Sequence, residues 1–141
     1  MRPQLLDLYC GAGGAAVGYA RAGFDVVGVD IAPQPDYPFE FHPGDALDFL
    51  AAHGREFDAR HASPPCQASC TLTRGTNQGR EYPNLIPATR KALATFDGPS
   101  VIENVQGADI RRDLTLCGEM FGLGVIRHRY FELSGFTATQ P

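Results

Sequence analysis

Leu5-Leu6-Asp7-Leu8-Tyr9-Cys10-Gly11-Ala12-Gly13-Gly14-Ala15-Ala16 is an apolar run that stops on a cluster of glycines and resumes with small residues. An apolar run of this length reads as a buried strand, the glycines as a tight turn, and Ala15 to Ala22 as a helix packed closely on a sheet. Gly23 closes that helix, and Asp25-Val26-Val27-Gly28-Val29-Asp30 reads as a second buried strand, β-branched and ended by a carboxylate. A βαβ unit results. Its turn satisfies the G-x-G-x-x-G/A pattern, and Asp30 stands nineteen residues beyond Gly11, where a carboxylate accepts hydrogen bonds from ribose hydroxyls. The expected ligand is an adenosine-type cofactor; nicotinamide dinucleotides and S-adenosyl-L-methionine both fit the pattern.

The same alternation continues outward. Ala32 to Pro38 holds three prolines and is expected to be loop, Phe39-Glu40-Phe41 a brief strand before Pro43-Gly44-Asp45, and Ala46 to His53 a helix. Phe57 to Ala62 is a further strand, and Gln67 to Tyr82 has the composition of a mobile loop. Pro83 suits the first position of a helix running to about Phe96, with Pro87 in its first turn or breaking it. Pro99 to Glu103 reads as the next strand, and Gly124 to Leu133 as an alternating strand with Arg127 and Arg129 on one face. Strands alternating with helices predict one α/β domain over residues 1–141, with a mostly parallel sheet and helices on both faces. Such sheets bind ligands at the carboxyl ends of their strands, where Cys10-Gly11, Asp30, Asp45, Cys66 and Glu103 all fall.

The net charge of −4 over 141 residues gives no bulk attraction to phosphates, so any nucleic-acid contact is local. Positive charge gathers in Arg111-Arg112 and Arg127-His128-Arg129, with a looser set at Arg74, Arg80, Arg90 and Lys91. Four cysteines (Cys10, Cys66, Cys70 and Cys117) form no CxxC pair and no disulfide-framework spacing, and no signal-peptide pattern opens the sequence. A cytoplasmic, reducing setting is expected, with no membrane contact and no metal; a zinc site from His61, Cys66 and Cys70 lacks the usual tight pairing.

In His61-Ala62-Ser63-Pro64-Pro65-Cys66-Gln67, two prolines stiffen the chain just before a cysteine and can hold its sulfur at the mouth of the site. Glu103 ends the neighbouring strand in the expected topology. A thiolate adds to C6 of a cytosine while a carboxylic acid donates a proton to N3, which makes C5 nucleophilic enough to take a methyl group from a sulfonium. Asp45 is suited to accept from an adenine amino group. The bland reading of each feature alone is a buried thiol and a carboxylate capping a turn.

Together these residues resemble the DNA cytosine-5 methyltransferases. The resemblance rests on Asp7-Leu8-Tyr9-Cys10-Gly11-Ala12-Gly13-Gly14, Val29-Asp30, Gly44-Asp45-Ala46, Ser63-Pro64-Pro65-Cys66-Gln67, Glu103-Asn104-Val105 and Arg127-His128-Arg129, in family order from residue 5 to about 134. It implies a Rossmann-like methyltransferase fold and a nucleophile at Cys66. It also implies a proton donor at Glu103, with Arg127 and Arg129 holding the target base and the loop. It further implies S-adenosyl-L-methionine bound by Tyr9, Gly11, Gly13, Asp30, Ile31, Asp45, Ala46 and Pro65, and a cytosine flipped out of DNA. Gln67 to Tyr82 would be the lid.

Two departures from the family pattern stand out. Val125 occupies the place of a usual Gln, and the sequence stops before a target-recognition domain and a final Asn-bearing motif. The expectation is therefore a fragment, one half of a split enzyme, or a minimal enzyme helped by loops or a partner subunit. Other readings are an accessory domain that binds S-adenosyl-L-methionine or nucleic acid, the same chemistry on RNA or a free cytidine nucleotide, and, last, a nicotinamide enzyme.

Overall fold

The computed structural model describes residues 1–65 and 84–141. In chain order its elements are β1 (Gln4–Leu8), α1 (Gly14–Arg21), β2 (Asp25–Asp30), β3 (Glu40–Pro43), α2 (Ala46–His53) and β4 (Ala59–Ala62). After the segment 66–83 come α3 (Ile86–Leu93), β5 (Ser100–Val105), β6 (Leu114–Cys117) and β7 (His128–Ser134). The described strands form one sheet in the order β3-β2-β1-β4-β5-β7-β6. The first five in chain order run parallel, and β7 lies antiparallel between β5 and β6.

The alternating side chains of β1 explain how the layers assemble. Leu6 and Leu8 are fully buried with Val29, Leu50, Ile86 and Leu93, which puts α2 and α3 on one face. Leu5 packs with Val26, Ala16 and Tyr37 on the other, under α1. Chain order leaves β1 toward β2 and β3 on one side, then returns to β4 and β5 on the other. That reversal opens a crevice between the carboxyl ends of β1 and β4, the place where open α/β sheets take ligands.

The glycine turn opens α1 as the sequence predicts, with Gly13 at its N-cap in a left-handed conformation (φ 96°). A Cβ on Gly13 would come within 2.9 Å of the Tyr37 ring, and one on Gly28 within 2.3 Å. Both glycines are therefore needed to admit Tyr37 against β2 and the turn, a packing role that the motif spacing does not reveal.

Several boundaries differ from expectation. Helix α3 begins at Ile86 rather than Pro83, which lies outside the described residues, and Pro87 sits in its first turn. It ends at Leu93, three residues before Phe96, because Thr95 and Phe96 turn back on carbonyls of Ala92 and Leu93. Strand β4 starts at Ala59; the residues before it form a short 3-10 turn, Gly54–Glu56. Strand β6 is not apparent in the sequence. Most consequential, β7 begins at His128, so Gly124–Arg127 is not strand and Arg127 does not share a strand face with Arg129. Gly122 (φ 68°) and Gly124 (φ 66°) hold left-handed conformations that no strand adopts, and ladder pairing begins only with Cys117 opposite His128.

Candidate active site

Tyr9 leaves β1 with φ 55°, the one non-glycine residue among those described with a left-handed backbone, and Gly11 follows with φ 54°. The bend swings the chain over the end of β2, where the carboxylate of Asp30 accepts from the Gly11 N–H (2.9 Å) and from the Ala32 N–H (3.0 Å). Asp30 thus holds the turn itself, an engagement the spacing argument did not foresee. A carboxylate has about four acceptor positions, so each oxygen keeps one for a ligand hydroxyl. A Cβ added at Gly11 would meet nothing within 4 Å, so the turn is open on its outer side.

Asp45 is the N-cap of α2, its Oδ1 accepting from the Asp48 N–H at 2.9 Å, and among the described residues its other oxygen has no partner. It faces Tyr9 closely enough to help raise the phenol's pKa, an effect led by burial. Tyr9 is fixed by a hydrogen bond between its hydroxyl and Thr89 on α3 (2.9 Å). Ala46 follows as the first residue of α2; its side chain is buried in the core, and its backbone N–H, at the first helical position, has no partner within the helix. Ile31 is 78% exposed just beyond β2.

The second half of the site comes from β4 and β5, which pair in parallel. Ser63 stays tied to β1 through its N–H to the Leu8 carbonyl (3.2 Å). Asn104, 3% exposed on β5, donates from Nδ2 to the Pro64 carbonyl (3.0 Å), and its Oδ1 accepts from the Val105 N–H (2.9 Å). Pro64 is buried and Pro65 exposed. Asn104 therefore links Glu-Asn-Val to Pro-Pro physically, one residue beside the carboxylate that the sequence singled out. Glu103 and Arg129 form an ion pair across β5 and β7 at 3.1 Å, both partly buried. Arg127 is exposed in the coil before β7, and only Arg129 of the two is paired with Glu103 among the described residues. Cys66, the expected nucleophile, lies outside the described residues, as do Cys70, Arg74, Arg80 and the Gln67 to Tyr82 segment.

Asp7, Tyr9, Cys10, Ala15, His61, Ser63, Glu103 and Phe131 line one cavity of about 340 Å³ that joins the glycine turn to the β4 and β5 ends. Two of its lining residues, Asp7 and His61, are ionisable and buried. Asp7 is 1% exposed; burial pushes its pKa up to about 7, opposed by a hydrogen bond from the Tyr37 hydroxyl (3.4 Å). His61, 3% exposed, is driven down to about 4 by burial and is neutral at physiological pH. Burial with the charges of Asp7 and Asp30 raises the Cys10 thiol to about 12, so Cys10 is a protonated neighbour of the turn and no nucleophile.

The remaining arginines flagged by the sequence serve the framework. Arg90 grips Glu132 with two hydrogen bonds of 2.9 Å; Arg111 donates to Asp113 and to the Leu133 carbonyl; Arg112 lies 4.9 Å over the Tyr130 ring. Sequence reasoning missed Tyr19, His61, Ser63 and Asn104 as site residues. Ser63 and Asn104 carried a signal as members of Ser63-Pro64-Pro65-Cys66-Gln67 and Glu103-Asn104-Val105, His61 was weighed only as a zinc ligand, and Tyr19 carried none.

No family profile and no curated protein matches the chain in sequence. Solved structures do match its fold. The chain is similar to the S. pombe Dnmt2 methyltransferase, with a TM-score of 0.64 and 20% identity, over 99% of this chain and 51% of that one. It is similar to a SAM-dependent methyltransferase from Agrobacterium tumefaciens (TM-score 0.54, 18% identity, 75% of this chain and 39% of that one). A SAM-dependent methyltransferase from Archaeoglobus fulgidus is alike over 77% of this chain and 48% of its own, with a TM-score of 0.55 and 17% identity. The chain thus spans between 39% and 51% of the length of these three structures. Its seven-stranded sheet with one reversed strand is the Rossmann-like, mostly parallel α/β fold of SAM-dependent methyltransferases.

Proposed function

We propose that the chain is an S-adenosyl-L-methionine-dependent DNA cytosine-5 methyltransferase, with Cys66 as nucleophile and Glu103 as proton donor. The observation that carries this reading is one cavity at the carboxyl ends of the central strands that Tyr9, Cys10, Ser63 and Glu103 line together, flanked by Asp30 holding the glycine turn and by Asn104 holding Pro64. The fold likeness to SAM-dependent methyltransferases supports the cofactor, and the donor set fits it. Carboxylates at Asp30 and Asp45 suit an adenosine, which offers hydroxyl and amino donors, and Gly11 leaves the room that a side chain would fill. Tyr9, Gly11, Asp30, Ile31, Asp45, the Ala46 N–H and Pro65 are the residues that would hold it, with Gly13 contributing through the turn and its packing on Tyr37. When bound, S-adenosyl-L-methionine supplies an electrophilic methyl group.

The chain's own residues do the rest. Cys66 adds its thiolate to C6 of the base while Glu103, in its protonated form, gives its proton to N3 and is left as the carboxylate that Arg129 pairs with and orients. Asn104 anchors the Pro64 carbonyl, which holds the segment leading to Cys66 against β5. Arg127, exposed just before the start of β7, contacts the base or an adjoining phosphate. The target cytosine leaves the duplex to reach this crevice.

Incubation with labelled S-adenosyl-L-methionine and duplex DNA carrying 5-fluorocytosine is expected to trap a covalent complex that Cys66→Ala abolishes while cofactor binding persists. Absence of any adduct would overturn the cysteine mechanism. Competition among duplex DNA, RNA and dCMP in the same assay identifies the substrate: preferred labelling of RNA or dCMP would replace DNA in the reading. Activity that appears only when a second protein is added would assign target recognition to a partner subunit.

A further inference from the structure

His61 occupies the middle of the sheet, on β4 between Asp7 of β1 and Val101 of β5, a position where a buried parallel strand ordinarily carries an aliphatic residue. Both ring nitrogens are engaged by side chains. Nδ1 is 2.8 Å from the Tyr19 hydroxyl on α1, and Nε2 is 2.8 Å from the Ser63 hydroxyl just beyond β4. The Tyr19 ring also packs edge-on against the imidazole, with centroids 5.3 Å apart. A three-member chain therefore runs from the helix that follows the glycine turn, along the α1 face of the sheet, to the wall of the cavity, which Ser63 and Glu103 both line.

We propose that His61, held by Tyr19, is a positioning residue that fixes the Ser63 hydroxyl as a hydrogen-bond donor into the cavity, aimed at an acceptor on the planar substrate such as the base carbonyl. This inference deepens the methyltransferase reading and rests on it.

The direction follows from relative acidity. The ring is neutral, so one nitrogen donates and the other accepts. A phenol is a far better donor than an aliphatic alcohol, so Tyr19 donates to Nδ1, and Nε2–H donates to the Ser63 oxygen. Ser63 Oγ then accepts on the side of His61 and its own hydrogen is left to point into the cavity. In the opposite tautomer the Ser63 hydrogen would be spent on Nε2, and the cavity would face lone pairs instead. Ser63 cannot drift, because its N–H is bonded to the Leu8 carbonyl and the next residue is bonded to Asn104.

Two measurements on the full chain test this. Nitrogen-15 chemical shifts of the His61 ring should report the neutral Nε2–H tautomer from pH 5 to 8; the Nδ1–H tautomer, or a ring that titrates near pH 6.5, would overturn the proposal. This readout needs neither a variant nor methyl transfer, so an inactive chain would count against the proposed reaction and leave the alignment decided by the shifts. In the methyl-transfer assay, Ser63→Ala and His61→Leu should each lower kcat/KM about tenfold, the effect of one lost hydrogen bond to a polar group. The double variant should be no worse than the poorer single one, since His61 acts through Ser63. His61→Gln, whose side-chain N–H can stand where Nε2–H stood, should recover most of the loss. Additive losses, or full activity in Ser63→Ala, would overturn the role given to Ser63.

Discussion

Asp7 and His61 are register partners on β1 and β4 and are buried side by side, yet burial moves their pKa values in opposite directions. Asp7 rises from 3.8 to about 7. Between those limits the folded protein keeps a proton that the unfolded chain has released, so this group costs stability as pH rises. His61 falls from 6.5 to about 4. In that interval the unfolded chain holds a proton the folded protein lacks, so stability due to His61 is present above pH 6.5 and lost as pH falls. Each full shift is worth about 3 to 4 kcal/mol as an order of magnitude, and over the common window the two slopes offset each other. Urea denaturation from pH 4.5 to 7.5 should therefore separate them. Relative to wild type, Asp7→Asn should gain stability steadily as pH rises toward 7. His61→Leu, whose lost hydrogen bonds subtract a constant, should compare best at the acid end and decline toward pH 6.5. Parallel pH curves for the three proteins would show that neither group is shifted in this way.

Elements β1, α1 and β2 were legible because their signal is local: an apolar run, glycines where the backbone turns left-handed, and β-branched residues before a carboxylate. Strand β6 was not legible, because Leu114, Thr115 and Leu116 are only half-buried, the strand follows charged Arg111-Arg112-Asp113, and it owes its conformation to β7. The start of β7 was misplaced for a related reason: Val125 and Ile126 continue the apolar alternation, yet both are exposed and unpaired to the ladder. Arginines were the hardest residues to assign, since a guanidinium on a surface and one gripping a buried carboxylate look alike in sequence. Glu132 on β7, 2% exposed, accepts twice from Arg90 of α3 and once from the Arg111 N–H (3.0 Å). This carboxylate ties α3 and the approach to β6 onto the strand beside Glu103. Glu132→Gln turns amide hydrogens toward those donors and should cost about 2 to 4 kcal/mol in chemical denaturation. A loss below about 0.5 kcal/mol would mean that the ion pair contributes nothing net, as at an exposed site.

At the scale of the whole molecule, an acidic protein proposed to act on a polyanion must do so with few phosphate contacts. The net charge is −4, and Arg90, Arg111 and Arg112 are engaged with Glu132, Asp113 and Tyr130 rather than displayed for DNA. Arg129 is neutralised by Glu103, while Arg127 is exposed and forms no ion pair among the described residues, and Arg74 and Arg80 lie outside them. Counterion release scales with the number of phosphates neutralised, at roughly 0.9 per contact in the slope of log affinity against log salt. One to three contacts predict a slope between about −1 and −3, so raising salt from 50 to 200 mM should weaken duplex binding by roughly four- to sixtyfold. Fluorescence anisotropy with a labelled duplex measures this directly, and Arg127→Ala should flatten the slope by about one. A slope near −6 would require a basic face that the described residues do not contain, and would place much of the DNA contact on another part of the protein or on a bound partner.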